Sequence, residues 1–168
     1  AAPEFQAESP TPSLPHPQLE TLRKKAIPWG RKELTAPWTL PDAAETAWEI
    51  LLEIPAQQQT GGLLLQVGNC FALELTLVSR TLHAYVKDTG EQTMQDCGTL
   101  QLVPGAPVRL QVFLDRCSAE IFADGKCLSV NVFDTAPLRP VSLIPQGGTL
   151  PLQLLQVWQL QHVMEPQT

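Results

Sequence analysis

From Thr46 onward the hydrophobic pattern has a period of two, with Trp48, Ile50, Leu52 and Ile54 alternating with Ala47, Glu49, Leu51 and Glu53. That spacing predicts a strand with one face in water. Further strands are predicted at Leu63–Val67, at Phe71–Val78 with Phe71, Leu73, Leu75 and Leu77 on one face, and at Thr81–Val86. Gly61-Gly62, Gly68-Asn69 and Asp88-Thr89-Gly90 punctuate them. Beyond the Pro104-Gly105-Ala106-Pro107 turn, Val108, Leu110, Val112 and Leu114 alternate with Arg109, Gln111, Phe113 and Asp115. Ser118–Ala123 and Lys126–Phe133 flank Asp124-Gly125, a dipeptide suited to the two positive φ angles of a type I′ hairpin turn. In that register Ile121, Leu128, Val130 and Val132 share one face, and Glu120, Phe122, Ser129 and Asn131 the other. The last strand, entered from Gly147-Gly148, is expected to carry Leu152, Leu154, Trp158 and Leu160 on its apolar face, opposite Gln153, Gln159 and Gln161. Many short strands with regular turn signals and no helical crossovers predict an all-β fold, a two-sheet antiparallel β-sandwich of the lectin-like jelly-roll kind.

The N-terminal part reads differently. Residues 1–17 hold Pro3, Pro10, Pro12, Pro15 and Pro17 among small and polar residues and are expected to form an extended linker. Gln18–Ala26 is predicted as a short helix, with Leu19 and Leu22 on one side, Glu20 four residues before Lys24, and a stop before Pro28. The expected division is therefore linker 1–17, connector with helix 18–35, sandwich 36–164 and tail 165–168. The chain begins Ala1-Ala2-Pro3 without Met, which implies processing or an upstream part.

Composition narrows the function classes. In 168 residues there are 16 prolines, 43% hydrophobic and 17% charged side chains, which argues against disorder and against a helix bundle. A net charge of −6, with no basic cluster beyond Arg23-Lys24-Lys25 and Arg31-Lys32, offers a phosphate backbone no footprint. Nucleic acid is not an expected partner. No apolar run reaches the ~18 residues that a membrane helix needs, so no membrane partner is expected.

Cys70, Cys97, Cys117 and Cys127 include no C-x-x-C pair, and His16, His83 and His162 are scattered, so no metal or cofactor site is expected. Buried free thiols are the expected state, and a Cys117–Cys127 bridge is disfavoured because the hairpin register sets Phe122 opposite Cys127 and turns Cys117 to the other face. The thiols and the lack of an Asn-x-Ser/Thr sequon lean toward a cytoplasmic chain, with a secreted one the alternative because the N-terminus is read as processed or truncated. Asp115 and Glu120 form the one carboxylate pair worth weighing for glycosidic chemistry, but backbone donors, Arg109 or Arg116 are their more natural partners. Ser118 has no histidine near it in sequence to act as base. Trp29, Trp38, Trp48 and Trp158 suit core or interface packing better than a sugar platform, Trp48 and Trp158 being in phase with apolar faces. No expected catalytic site emerges.

The run from Val108 to Gly125 resembles the "L-R-V-F-V-D-x-S-S-V-E-V-F-x-N-D-G" signature of the C-terminal β-sandwich of glycoside hydrolase family 32, through Asp115, Arg116, Ser118, Glu120, Phe122 and Gly125. Leu14–Arg23 is similar to that family's "P-x-x-E-L-x-x-L-R" connector, with Leu19, Leu22 and Arg23 in place, and Gly147 through Leu160 to its closing strand. Cys117 and Ala119 stand where the family has Ser and Val, and Leu82–Gly90 lacks its "L-D-R".

The resemblance implies a module of an invertase, levanase or sucrose-6-phosphate hydrolase-like β-fructofuranosidase. The family's catalytic motifs, N-D-P-N-G, R-D-P and E-C, belong to an N-terminal five-bladed propeller, and none occurs here. The expected role is thus non-catalytic: stabilising a propeller of the same enzyme, with a homodimer and a carbohydrate as further partners. The competing expectations are a free-standing lectin-like sandwich and, more weakly, a small enzyme using Asp115 and Glu120.

Overall fold

A computed structural model describes residues 23–29, 33–41, 47–87, 95–115, 118–131 and 140–160. Fourteen strands lie within them: β1 (Arg23–Ile27), β2 (Glu33–Leu34), β3 (Trp38–Thr39), β4 (Ala47–Ile54), β5 (Gly62–Val67), β6 (Phe71–Thr76), β7 (Thr81–Val86), β8 (Gln95–Gln101), β9 (Val108–Leu114), β10 (Ser118–Ala123), β11 (Lys126–Asn131), β12 (Val141–Gln146), β13 (Leu150–Pro151) and β14 (Leu154–Leu160). Sheet I has the order β1-β14-β4-β9-β10-β11, sheet II the order β3-β12-β5-β6-β7-β8, and β13 pairs with β2. Every pairing is antiparallel. The sandwich expected from the alternation is the fold observed.

Because side chains on paired strands keep step, each sheet presents unbroken apolar rows to the core. In sheet I one row runs Ile27, Val157, Ile50, Val112, Ile121 and Leu128 across all six strands. In sheet II the matching row is Trp38, Leu143, Leu65, Leu73, Ala84 and Gly98. Ile50, Val112, Ile121, Leu65 and Leu143 are wholly buried between these rows. The sheets close on each other along one side, where a Cβ at Gly98 would come within 2.6 Å of Leu128 Cδ1.

Several expectations need correction, the first being the water-facing side of β4, which is buried at Ala47, Glu49 and Leu51 because β4 is flanked by β14 and β9 in mid-sheet. Arg23–Ala26, expected to end a helix, is strand β1, while Gln18–Leu22 lies outside the described residues. A row of hydrogen bonds and an apolar partner at Val157 outweigh the modest helix preference of so short a segment. In the last strand the faces are also inverted: Leu155 and Val157 are buried in the core, and Trp158 points outward. The chain breaks between β13 and β14 at Leu152 and Gln153, which resets the phase that Leu152 had suggested.

Candidate functional site

Sheet I carries a polar lock on its outer face, where its edge strand β1 is fastened. The register between β1 and β14 slips between Arg23 and Lys25, so that Arg23 pairs with Leu160 and Ala26 with Trp158. That bulge turns Arg23 to the same side as Ala26, three residues on, instead of the side of Lys25. Trp158 lies directly opposite Glu49 on β4, and the Arg23 guanidinium sits 3.6 Å from the centre of its ring. Arg23 Nε donates to Glu49 Oε1 at 2.8 Å and Nη2 to Oε2 at 2.7 Å, and Gln111 Nε2 on β9 donates to Oε2 at 2.8 Å. The Glu49 side chain is 0% exposed, that of Arg23 25%. A carboxylate taken out of water is tolerable only with such a complete set of donors.

Beside the lock, between β1 and β14, lies a cleft of about 400 Å³ lined by Ala26, Ile27, Trp29, Gln153, Gln156 and Trp158, among others. Trp29 in turn packs on Trp38, with ring centres 4.7 Å apart. Of the four tryptophans, Trp48 is a core residue as expected, and Trp158 is a surface partner of a cation.

The signature residues occupy the β9–β10–β11 end of the same sheet. Asp115 follows β9, and its N–H donates to the Ser118 carbonyl at 2.9 Å. Ser118 pairs with Asn131, Glu120 lies between Phe113 and Ser129, and Phe122 pairs with both Gln111 and Cys127, the register expected from the hairpin. Asp124 and Gly125 have φ of 51° and 72°, the two positive angles a type I′ turn requires. Asp124 also accepts a hydrogen bond from the Val103 N–H, which ties the turn to the end of β8. Phe113 and Phe122 meet edge to face at 6.0 Å and 88° on the outer face. Glu120 is exposed, and neither it nor Asp115 lines the cleft. Glu120 thus stands open to solvent among the described residues. Arg116, Cys117, Leu19 and Leu22 lie outside the described residues.

Cys70 is buried and donates to the Val67 carbonyl at 3.3 Å. Cys97 and Cys127 are free and exposed, which corrects the expectation of burial for these two. Both are strand residues whose side chains leave the core: Cys97 at a bulge of β8, Cys127 on the outer face of edge strand β11. Partial burial nevertheless pushes both thiols above their usual range. Among the described residues no group of three or more His, Cys, Asp or Glu could hold a metal ion, and no helix is long and apolar enough to cross a membrane.

Glu49 and Gln111 were not singled out by the sequence, where both fell on a face assigned to water. The usable signal was that Glu49 sits mid-strand in Trp48–Ile54, a segment apolar enough to be central in its sheet.

The described residues form a sandwich of two six-stranded antiparallel sheets, with a lock that fastens the edge strand β1. The sequence profile of the family "Glycosyl hydrolases family 32 C terminal" matches residues 18–159, and the chain belongs to that family. No curated protein matches the sequence. Among solved structures the fold is similar to exo-inulinase from Aspergillus awamori (TM-score 0.64, 14% identity, covering 84% of this chain and 31% of that one). It is also similar to a Bombyx mori family 32 β-fructofuranosidase (0.61, 19%, 89% and 30%). Sucrose-6-phosphate hydrolase from Lactobacillus gasseri is a third (0.57, 13%, 85% and 29%). The chain spans about three tenths of the length of these enzymes.

Proposed function

We propose that this chain is the non-catalytic sandwich module of a β-fructofuranosidase-like glycoside hydrolase, and that its β1–β14 side faces the catalytic propeller. The observation that carries the reading is the lock at Arg23. The family's connector ends at this residue, and here its side chain enters a full set of interactions with Glu49 and Trp158. Arg23 is thereby anchored at a fixed point on sheet I. Next to the anchor, the cleft, of mixed polar and apolar lining, and the half-exposed Trp158 offer surface of the kind inter-domain contacts use. Family membership and the inulinase and fructofuranosidase likenesses support the same reading. They do so at the level of fold, and the substrate of the parent enzyme is proposed as sucrose, sucrose 6-phosphate or fructan.

The test has two parts. The coding region upstream of Ala1 is expected to encode N-D-P-N-G and R-D-P motifs, and the domain carrying them, mixed with this chain, is expected to raise its melting temperature in a concentration-dependent way. Arg23→Ala should weaken that association. An upstream region without those motifs, or a catalytic domain indifferent to the chain, would overturn the proposal.

A further inference from the structure

The ladder along the β1 edge of sheet I opens and closes again. β1 leaves β14 at the pair Ile27–Val157, and β2 meets β13 at the pair Glu33–Pro151. Ile27 and Glu33 are six residues apart, and so are Val157 and Pro151, so the register is the same on both sides of the opening. The opening starts at Pro28, which has no N–H to give to Gln156, the residue that this register sets opposite it. The cleft lies at this point, between Ala26–Trp29 and Leu152–Trp158. Leu154, Leu155 and Gln156 are paired with Glu53, Leu52 and Leu51 on the β4 side, and among the described residues no strand pairs with them on the cleft side. Three residues of β14 thus turn one strand edge to the cleft, over a length of about 10 Å.

We infer that an extended segment of the catalytic domain enters this cleft and adds to sheet I as a strand beside Leu154–Gln156. The inference rests on the module reading above, which turns the β1–β14 side toward that domain. A strand edge is a row of backbone donors and acceptors, and its complement is another extended backbone. Side chains of an added strand point alternately to the two faces of the sheet. The one beside Leu155 would face the core, where Leu155 is 8% exposed, and its neighbours would lie beside Leu154 and Gln156 on the outer face. The described lining residues carry no charge. Charged groups on the adjoining strands are engaged with each other, Arg23 with Glu49 and Arg109 with Glu53. Lys24 and Lys25 are exposed on β1 outside the lining, and Arg31 and Lys32 lie outside the described residues. The segment that fits is therefore uncharged, at least three residues long, and apolar at its central position.

Amide hydrogen exchange of the full chain, alone and mixed with the catalytic domain encoded upstream, reads this directly. At saturation, exchange within Leu154–Gln156 should slow about tenfold or more, while that of the opposite-side edge strand β8 stays as it was. Gln156→Asp sets a charge at an exposed position of the cleft, and should weaken the association about tenfold without moving the melting temperature of the chain alone. Ser129→Asp, likewise exposed but on β11 at the far edge of sheet I, should leave the association unchanged. Association without slowing at Leu154–Gln156, or with full affinity in Gln156→Asp, would overturn the inference and leave the module reading standing. Absence of association would overturn that reading and this inference together.

Discussion

Arg23 and Glu49, 26 residues apart, are joined by two parallel hydrogen bonds of 2.8 and 2.7 Å, with the glutamate side chain wholly buried and the arginine side chain three-quarters so. This pair fastens the edge strand β1 to the middle of sheet I. Removing one partner strands a buried charge, whereas removing both does not. Arg23→Ala is therefore expected to cost about 3 kcal/mol and, in a chain of this length, to lower the melting temperature by roughly 6–12 °C. The double variant Arg23→Leu/Glu49→Leu should be closer to the parent than Arg23→Ala is. A thermal double-mutant cycle measures the coupling, and additive losses would show that the two residues act independently.

Two glycines without positive φ separate backbone constraint from side-chain constraint. A Cβ at Gly62 would come within 2.0 Å of the Leu75 carbonyl oxygen, so β5 and β6 could not stay paired. At Gly98 the obstacle is Leu128 Cδ1 at 2.6 Å, the end of a side chain able to turn aside. Gly62→Ala should thus unfold the domain or cost more than about 4 kcal/mol, and Gly98→Ala about 1–2 kcal/mol, much of it recovered by Leu128→Val. Urea unfolding of the three variants checks the order.

Asp124 unites two demands, a φ of 51° and an acceptor for the Val103 N–H. Asn meets both, Gly meets the first, and Ala meets neither. The expected order of stability is Asp and Asn together, then Gly, then Ala, with Ala about 2 kcal/mol below the parent. Chemical denaturation of the four proteins reads this directly.

On the alkaline side, burial first and the Glu74 carboxylate second push the Tyr85 hydroxyl above its ordinary value of 10.0. Cys97 and Cys127 are likewise raised from 9.0, chiefly by burial. For each, the unfolded chain loses its proton at a lower pH than the folded one. Stability is therefore full below the unfolded value and falls as pH rises through it. Melting temperatures should decline from about pH 9 upward, and Tyr85→Phe should flatten the fall above about pH 10. A parent curve that stays level across that range would contradict the assignment.

How much of this was legible in the sequence depends on how strongly each segment alternates. Thr81–Val86 and Ser118–Ala123 have the bounds their patterns gave, and Asp124-Gly125 has the turn its residues require. β8 and β12 carried no such signal. Gln95–Gln101 is an edge strand exposed along much of its length, so nothing forces an apolar period on it. Val141–Gln146 holds Pro145, which reads as a break yet is accommodated, because the partner on that side, β3, reaches only Ser142 and Leu143. The lock was hidden for a different reason. Its acid sat at a position that alternation assigns to water, and only the docking of β1 over it makes it interior. Arg23 was visible through its place in a family connector, while Glu49, Gln111 and the outward turn of Trp158 depend on register between strands distant in sequence.

This sandwich is proposed to accompany chemistry performed by another domain. The most direct measurement is the release of fructose from sucrose and from inulin by the purified 168-residue chain, followed through prolonged incubation at neutral and mildly acidic pH. No release above the uncatalysed background is expected. Steady turnover by this chain, abolished by Glu120→Gln in a protein that remains folded, would contradict it.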